Sequence, residues 1–327
     1  MAFSEPTPVK LNKKRTRNVM KVPLEAKDKG KRLRDYLRND LKLSGRNIKR
    51  LAMDRGIYIG RKSVHLDYII KGDESLLINL DRAESQDMAK VKMTLDIAYE
   101  DSSLIVVNKP PYLVVHPTRN HQDDTLTNGV LYHFGETGDP SIVRLVSRLD
   151  MNTSGLVLIA KNQFVHSSFA RFKGSDKPIK TYLGITSGLW ESKSGMIDAP
   201  IHWPDPDDYR RVVDELGQPS RTGYEVLAQF NDTSLVRFIL ETGRTHQIRV
   251  HSKYMGHPLV GDQLYGGRLE GERPRQLLHA YALEFTHPMT QERISLTAAM
   301  PDDMQQYIIN HGGSEFVPDQ TKDEHCK

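Results

Sequence analysis

Cysteine is nearly absent: the single one, Cys326, stands beside the last of 327 residues. Disulfides within the chain and thiolate metal clusters are thereby excluded. Long apolar runs are missing as well. A membrane helix needs about 18–20 consecutive apolar residues, and the best stretch here, Leu156 to Ala160, has the length of a strand. Met1 to Val9 has no apolar core of the kind a secretory signal carries. No internal repeat is visible, and neither an H-E-x-x-H pattern nor a close His/carboxylate cluster marks a metal site. What remains is a chain 38% hydrophobic and 27% charged, long enough for one large or two modest domains. A soluble, cytoplasmic protein without membrane association is expected.

The formal net charge is only +4, but it is unevenly distributed. Residues 1–62 hold 19 Lys and Arg against 6 Asp and Glu, and the remainder holds 27 against 36. Such segregation points to a separate polyanion-binding head, with nucleic acid the first candidate. Lys10 to Lys21 reads equally well as a solvated basic tail. Residues 1–24 carry few apolar side chains and are expected to lack order.

Beyond Lys29 the sequence acquires pattern. Leu33, Leu37 and Leu41 recur at helical spacing, flanked by Tyr36. Ser44 is suited to cap a second helix with Ile48, Leu51 and Ala52 inward and Arg46, Lys49 and Arg50 outward. Gly56 is expected to leave that helix in a left-handed conformation. A hairpin turning at Gly60-Arg61, with Lys62 beside it, and a strand Leu76 to Leu80 follow. This order resembles the S4 RNA-binding domain, with Ser44-Gly45-Arg46 and Gly56-Ile57-Tyr58-Ile59-Gly60-Arg61-Lys62 carrying the likeness. The resemblance implies RNA contacts from Arg46, Lys49, Arg50, Arg61 and Lys62; a generic helical accessory domain is the alternative.

Residues 81–92 are polar and suggest a linker. After them come strand-like segments at 95–99, 104–107, 155–160, 179–186, 222–230, 234–241 and 293–298, with helices near 125–133 and 162–172. Residues from Gly313 onward read as a frayed polar tail. The expected fold is α+β: a mixed, largely antiparallel central sheet with flanking helices, over residues 93–310. A small α/β head at 25–80 precedes it, with tails at 1–24 and 311–327.

Three segments could carry chemistry. Ser147 to Gly155 places Arg148 and Asp150 in a loop before a buried strand, where catalytic groups tend to sit. Taken alone, Asp150 reads better as a turn-forming aspartate, its side chain bonding the backbone of Asn152 or Thr153. Thr242 to His251 contains Arg244, His246, Gln247 and Arg249. A helix over 246–255, capped by Thr245 and closed by Gly256, would set Arg244 at an amide-rich N-terminus and Arg249 one turn inside. The histidines here and at 257, 279 and 287 raise zinc, but satisfied buried hydrogen bonds or RNA contacts suit them better. Tyr182, in Lys180-Thr181-Tyr182-Leu183-Gly184, suits strand packing.

Their order is more telling than any one of them. Arg148-Leu149-Asp150-x-x-Thr-Ser-Gly-Leu, Lys180-x-Tyr182, Gly243-Arg-Thr-His-Gln-Ile-Arg-Val-His251, Gly256-His-Pro-Leu-Val-Gly-Asp-x-x-Tyr-Gly266 and Leu277-Leu-His-Ala280 together resemble the RluA/RluD-type pseudouridine synthases. Asn108-Lys109-Pro110-Pro111 and His116-Pro117 look like that family's opening. The resemblance implies that Asp150 is the catalytic aspartate, Tyr182 the active-site tyrosine and Arg249 the arginine paired with the aspartate. It implies that Arg148 helps displace the target uridine, and that Lys109, Arg244, His246 and Gln247 contact substrate. Ser147 stands where the family commonly has His, a departure expected to affect RNA positioning or target choice.

Moving the glycosidic bond of uridine from N1 to C5 oxidises and hydrolyses nothing, so no cofactor or metal is expected. A carboxylate can attack C1′ or C6 or abstract a ribose proton. The expected substrate is structured RNA, ribosomal before transfer RNA, reached by base flipping, with ribosomal precursor particles as partners. A non-catalytic RNA-binding or assembly protein on the same scaffold, and a metal-dependent RNA hydrolase, are the rivals.

Overall fold

The computed structural model describes residues 19–80, 86–118, 120–205, 207–269 and 274–316. Most of the basic run, Lys10 to Arg17, lies outside them, as do residues 81–85 and 317–327.

The N-terminal unit is a four-stranded antiparallel sheet against two helices. Its strands are β1 (Val19–Pro23), β2 (Ile57–Ile59), β3 (Lys62–Ser63) and β4 (Ser75–Asn79), and its helices are α1 (Leu33–Asn39) and α2 (Gly45–Met53). Ser44 caps α2 as expected, its side chain accepting from the Asn47 amide at 3.2 Å. Two expectations need correction. Residues 19–23 are not tail: Val19, Met20 and Val22 are buried, and β1 pairs along β4. The left-handed residue after α2 is Arg55 (φ 49°), not Gly56. Gly56 is needed for close approach instead, because a Cβ there would press on the Asn79 carbonyl and the Leu51 side chain.

The supposed linker is only partly one. Val143 donates its amide to Gln86 Oε1 at 2.9 Å, and Asn128 Nδ2 donates to the Ala89 carbonyl at 2.8 Å. Residues 86–91 are thus fastened to the larger unit, and Met88 packs into its apolar core.

That unit is built on a ten-stranded sheet. Its first elements are β5 (Asp96–Glu100), β6 (Leu104–Lys109), α3 (Leu126–Glu136), β7 (Arg144–Leu145), β8 (Ser154–Ala160), α4 (Gln163–Arg171) and β9 (Ile179–Ser187). There follow β10 (Ser194–Asp198), β11 (Ile201–His202), β12 (Val212–Val213), β13 (Arg221–Phe230), β14 (Thr233–Leu240) and α5 (Gln247–Tyr254), then β15 (Leu278–Thr286), β16 (Arg293–Thr297) and α6 (Asp302–Asn310). The main path runs β10-β13-β14-β9-β15-β8-β6-β5, with β7 on β8 and β16 on β15, while β11 and β12 pair separately. Every pairing is antiparallel except β15 with β8. The fold is therefore mixed, largely antiparallel α+β.

The one parallel junction positions the site. His279 and Ala280 pair with Ser154 and Gly155, joining the sheet's two halves where the Asp150 loop enters β8. Gly155 has φ +110°, and a Cβ on it would collide with the Ala280 backbone. The sequence reading missed β15 as a strand, although it lies in the middle of the sheet. It also missed α6, and it placed the start of the frayed tail too early: Gly313 packs on Phe230 and Ile308, and a short turn follows at Ser314–Phe316.

Candidate active site

Asp150 lies in the loop between β7 and β8. The turn reading is half right: the Asp150 main-chain carbonyl accepts from the Thr153 amide at 3.1 Å. Its carboxylate is free of the turn and faces α5, where Arg249 Nη1 donates to Oδ2 at 2.9 Å. Arg249 is itself fixed from behind. Its Nε and Nη2 donate to the two oxygens of Asp262 at 2.7 and 2.8 Å, a bidentate grip on a buried carboxylate. Burial opposes the guanidinium charge, but the hydrogen bonds and charges of Asp262 and Asp150 outweigh it and hold the pKa above its ordinary value. One arginine thus links a buried anchor to a half-buried carboxylate.

Tyr182 is buried on β9, opposite Phe238 of β14. Burial, with the negative charge of Asp150 second, pushes its hydroxyl above the ordinary tyrosine range, so the resting site holds a phenol. His246 precedes α5 in a left-handed conformation (φ 58°), which corrects the expected helix start by one residue and displaces Thr245 from the cap. Its Nδ1 lies 2.9 Å from the Tyr265 hydroxyl and its Nε2 3.8 Å from Asp150 Oδ2. Burial, together with the Arg249 and Arg211 charges, lowers the imidazole pKa against the pull of Asp150.

The loop behind Asp150 is held residue by residue. Lys109, fully buried, donates from Nζ to the carbonyls of Pro110 and Met151 at 2.8 and 2.9 Å. Arg275 Nη1 donates to the Asn152 carbonyl at 3.1 Å while its Nε and Nη2 grip Asp303. Gln276 donates to the Thr153 hydroxyl at 3.2 Å, and Ser154 lies 3.0 Å from His279 Nδ1. Burial and the neighbouring Arg275 push the Lys109 pKa down to about 7, opposed by Asp150.

These contacts reassign several residues. Lys109 braces the Asp150 loop and, fully buried, offers no surface to RNA. Gln247 is also consumed internally: Oε1 accepts from Thr242 Oγ1 and the Arg244 amide, and Nε2 donates to Arg221 O and Thr222 Oγ1. Ser147 is buried and accepts from the Leu158 amide at 2.9 Å, so it sets the loop on β8 and does not face RNA. Arg148 and Arg244 are exposed beside the site. Arg46, Lys49, Arg61 and Lys62 are exposed on the N-terminal unit, whereas Arg50 is half-buried, 3.5 Å from Asp54. His251 and His279 are buried and bonded to carbonyls and hydroxyls. Among the described residues no group of three or more His, Cys, Asp or Glu could hold a metal ion.

Asp262 and Arg275 escaped the sequence reading. Asp262 stands in the quoted Gly256–Gly266 motif, and an aspartate there without a role was the available signal. Arg275, two residues before Leu277, gave none.

An aspartate charge-paired to an arginine thus stands near a buried tyrosine on a largely antiparallel sheet. The chain belongs to the RNA pseudouridine synthases of the RluA/RluD type. The family described as RNA pseudouridylate synthase matches residues 103–254. A Bacillus subtilis protein named uncharacterized RNA pseudouridine synthase YjbO is 38% identical over 253 residues, 77% of this chain and 89% of its own. Ribosomal large subunit pseudouridine synthase D of Pseudomonas aeruginosa is 36% identical over 267 residues, 78% and 81% of the two chains. A solved structure, human RNA Pseudouridylate Synthase Domain Containing 1, superimposes with TM-score 0.52 at 28% identity over 64% of this chain and 84% of that one.

Proposed function

We propose that this synthase isomerises uridine in structured ribosomal RNA, with transfer RNA the second substrate class, through Asp150. The observation that carries the proposal is the Asp262–Arg249–Asp150 bridge. It offers a positioned carboxylate facing a guanidinium, and a scaffold retired to binding alone need not keep it together with Tyr182. Asp150 acts on C1′, C6 or a ribose proton, and Tyr182 stacks on the uracil. The phenol proton of Tyr182 is held partly by the charge of Asp150. Tyr182 assists departure of the C5 proton as a hydrogen-bonding group and stays a phenol throughout. Arg148, exposed beside Asp150, offsets the few kcal/mol of flipping the base from its stack. The N-terminal unit, read as S4-like, holds the RNA through Arg46, Lys49, Arg61 and Lys62, on the ribosome or its precursor particles in the cytoplasm.

Asp150→Asn should keep the fold and RNA binding and abolish isomerisation, measured as tritium release from C5-labelled uridine in RNA. Activity within tenfold of the parent, about 1.4 kcal/mol of barrier, would sink the assignment. Mapping pseudouridine in RNA from cells with and without the protein identifies the target.

A further inference from the structure

Behind Tyr265 lies a cavity of about 480 Å³, within the range of about 300–1,000 Å³ typical of small-molecule sites. Its floor is apolar and aromatic: Val213, Val250, Leu264 and Tyr265. Its rim is cationic and aromatic: Arg210, Arg211, Lys253 and the exposed Tyr254. One carboxylate, Asp208, joins the rim and is paired with Arg210 at 2.6 Å. The Lys253 side chain makes no hydrogen bond or ion pair with a described residue, and the Arg211 guanidinium lies 4.0 Å over the half-exposed ring of Trp203.

Tyr265 is a wall common to this cavity and the catalytic site. Its ring underlies the Arg249 guanidinium at 5.0 Å, and its hydroxyl lies 2.9 Å from His246, which faces Asp150. The same hydroxyl accepts from the Arg211 amide at 2.9 Å, which fastens the cavity's outer loop to the active-site wall.

We propose that this cavity receives the RNA nucleotide next to the uridine held at Asp150, its base stacked on Tyr254 and its phosphate against Lys253 and Arg211. The inference rests on the reading that uridine in RNA is the substrate. Flipping a uridine removes a stacking partner from its neighbour, and an aromatic ring beside an unpaired cation restores both stacking and phosphate neutralisation. An apolar floor with three cations at the rim suits a base joined to an anion better than it suits a peptide or a lipid.

The test measures equilibrium binding of an unmodified ribosomal RNA transcript, in an Asp150→Asn background so that turnover plays no part. Tyr254→Ala with Lys253→Ala should weaken binding at least about fivefold, and Lys253→Ala alone should flatten the slope of log K on log salt by about 0.7–0.9. Both side chains are at the surface, so the fold should survive. Val213→Trp, checked for an unchanged melting temperature, should reproduce the loss by filling the floor. Unchanged affinity and salt slope in the double variant overturn the proposal. Separately, if the protein with Asp150 intact releases no tritium from any RNA, the substrate reading fails, and the binding result still decides whether the cavity holds RNA.

Discussion

Arg249 touches two carboxylates, and they differ in what they lose when altered. Asp262 is 1% exposed at its side chain and Asp150 is 26% exposed. Removing Asp262 strands a buried guanidinium, whereas removing Asp150 leaves the bidentate grip intact. Asp262→Ala should therefore cost about 3–5 kcal/mol of unfolding free energy, and Asp150→Asn much less, although Asp150 is the one proposed to react. Urea unfolding of both variants checks this; an Asp262→Ala protein as stable as Asp150→Asn would remove Asp262 from its anchoring role. Lys109 provides a second test. Its pKa is about 7 in the fold against an ordinary 10.5. Between those values the unfolded chain binds a proton that the folded chain does not, so this group's contribution to stability rises with pH across that window. Below pH 7 both states are protonated and that contribution is absent. Lys109→Met should lack the rise when unfolding free energies are compared at pH 7, 8.5 and 10. Parallel curves for the two proteins would show that Lys109 keeps its charge. A neutral amine still has two N–H donors for Pro110 and Met151, so the brace persists as the charge is lost.

At the scale of elements, the parallel junction of β8 and β15 sets the Asp150 loop opposite α5. Gly155 makes it possible through its left-handed φ and its lack of a Cβ. Gly155→Ala should cost about 3 kcal/mol or more, since backbone strain adds to a backbone collision. Gly138→Ala is the control: its φ is +65°, but nothing stands within 4 Å of the added carbon. That change should cost only about 1–2 kcal/mol of strain. Equal melting temperatures for the two variants would contradict the packing argument. The junction also explains why β15 escaped sequence reading. Its run Leu278-His-Ala-Tyr-Ala-Leu-Glu-Phe-Thr alternates poorly, because it has β8 along one end, β16 along the other and β9 on its second edge.

For the whole molecule, the charge split at residue 62 falls inside the N-terminal unit, which continues through β4, so charge and fold divide the chain at different points. A contiguous apolar cluster includes Leu76, Ile78 and Leu80 of the N-terminal unit together with Leu104, Val106 and Leu158 of the larger one. Deleting the N-terminal unit would therefore disturb more than charge. Replacing the exposed Arg46, Lys49, Arg61 and Lys62 by Gln is cleaner. If all four face phosphates, the slope of log K on log salt for RNA should flatten by about 3. Turnover at saturating RNA should suffer less than efficiency at low RNA, because uniform binding energy acts on KM. A variant with the parent's salt slope would make these residues a solvated face.

The sequence alone determined the two units, their opposite charges, most sheet strands, and the family through the order of five short motifs. The family resemblance pointed to Asp150, Tyr182 and Arg249, where local reading alone favoured a turn and strand packing, and the structure brings Asp150 and Arg249 together. The sequence could not determine what holds them. Lys109, Gln247 and Ser147 look in sequence like polar residues available to RNA, and only burial shows that their hydrogen bonds are spent on the chain itself. Asp262 and Arg275 act across strands and loops far apart in sequence. Their roles exist only once β15 lies beside β8 and α5 faces the Asp150 loop, because a buried charge declares its function through its partner.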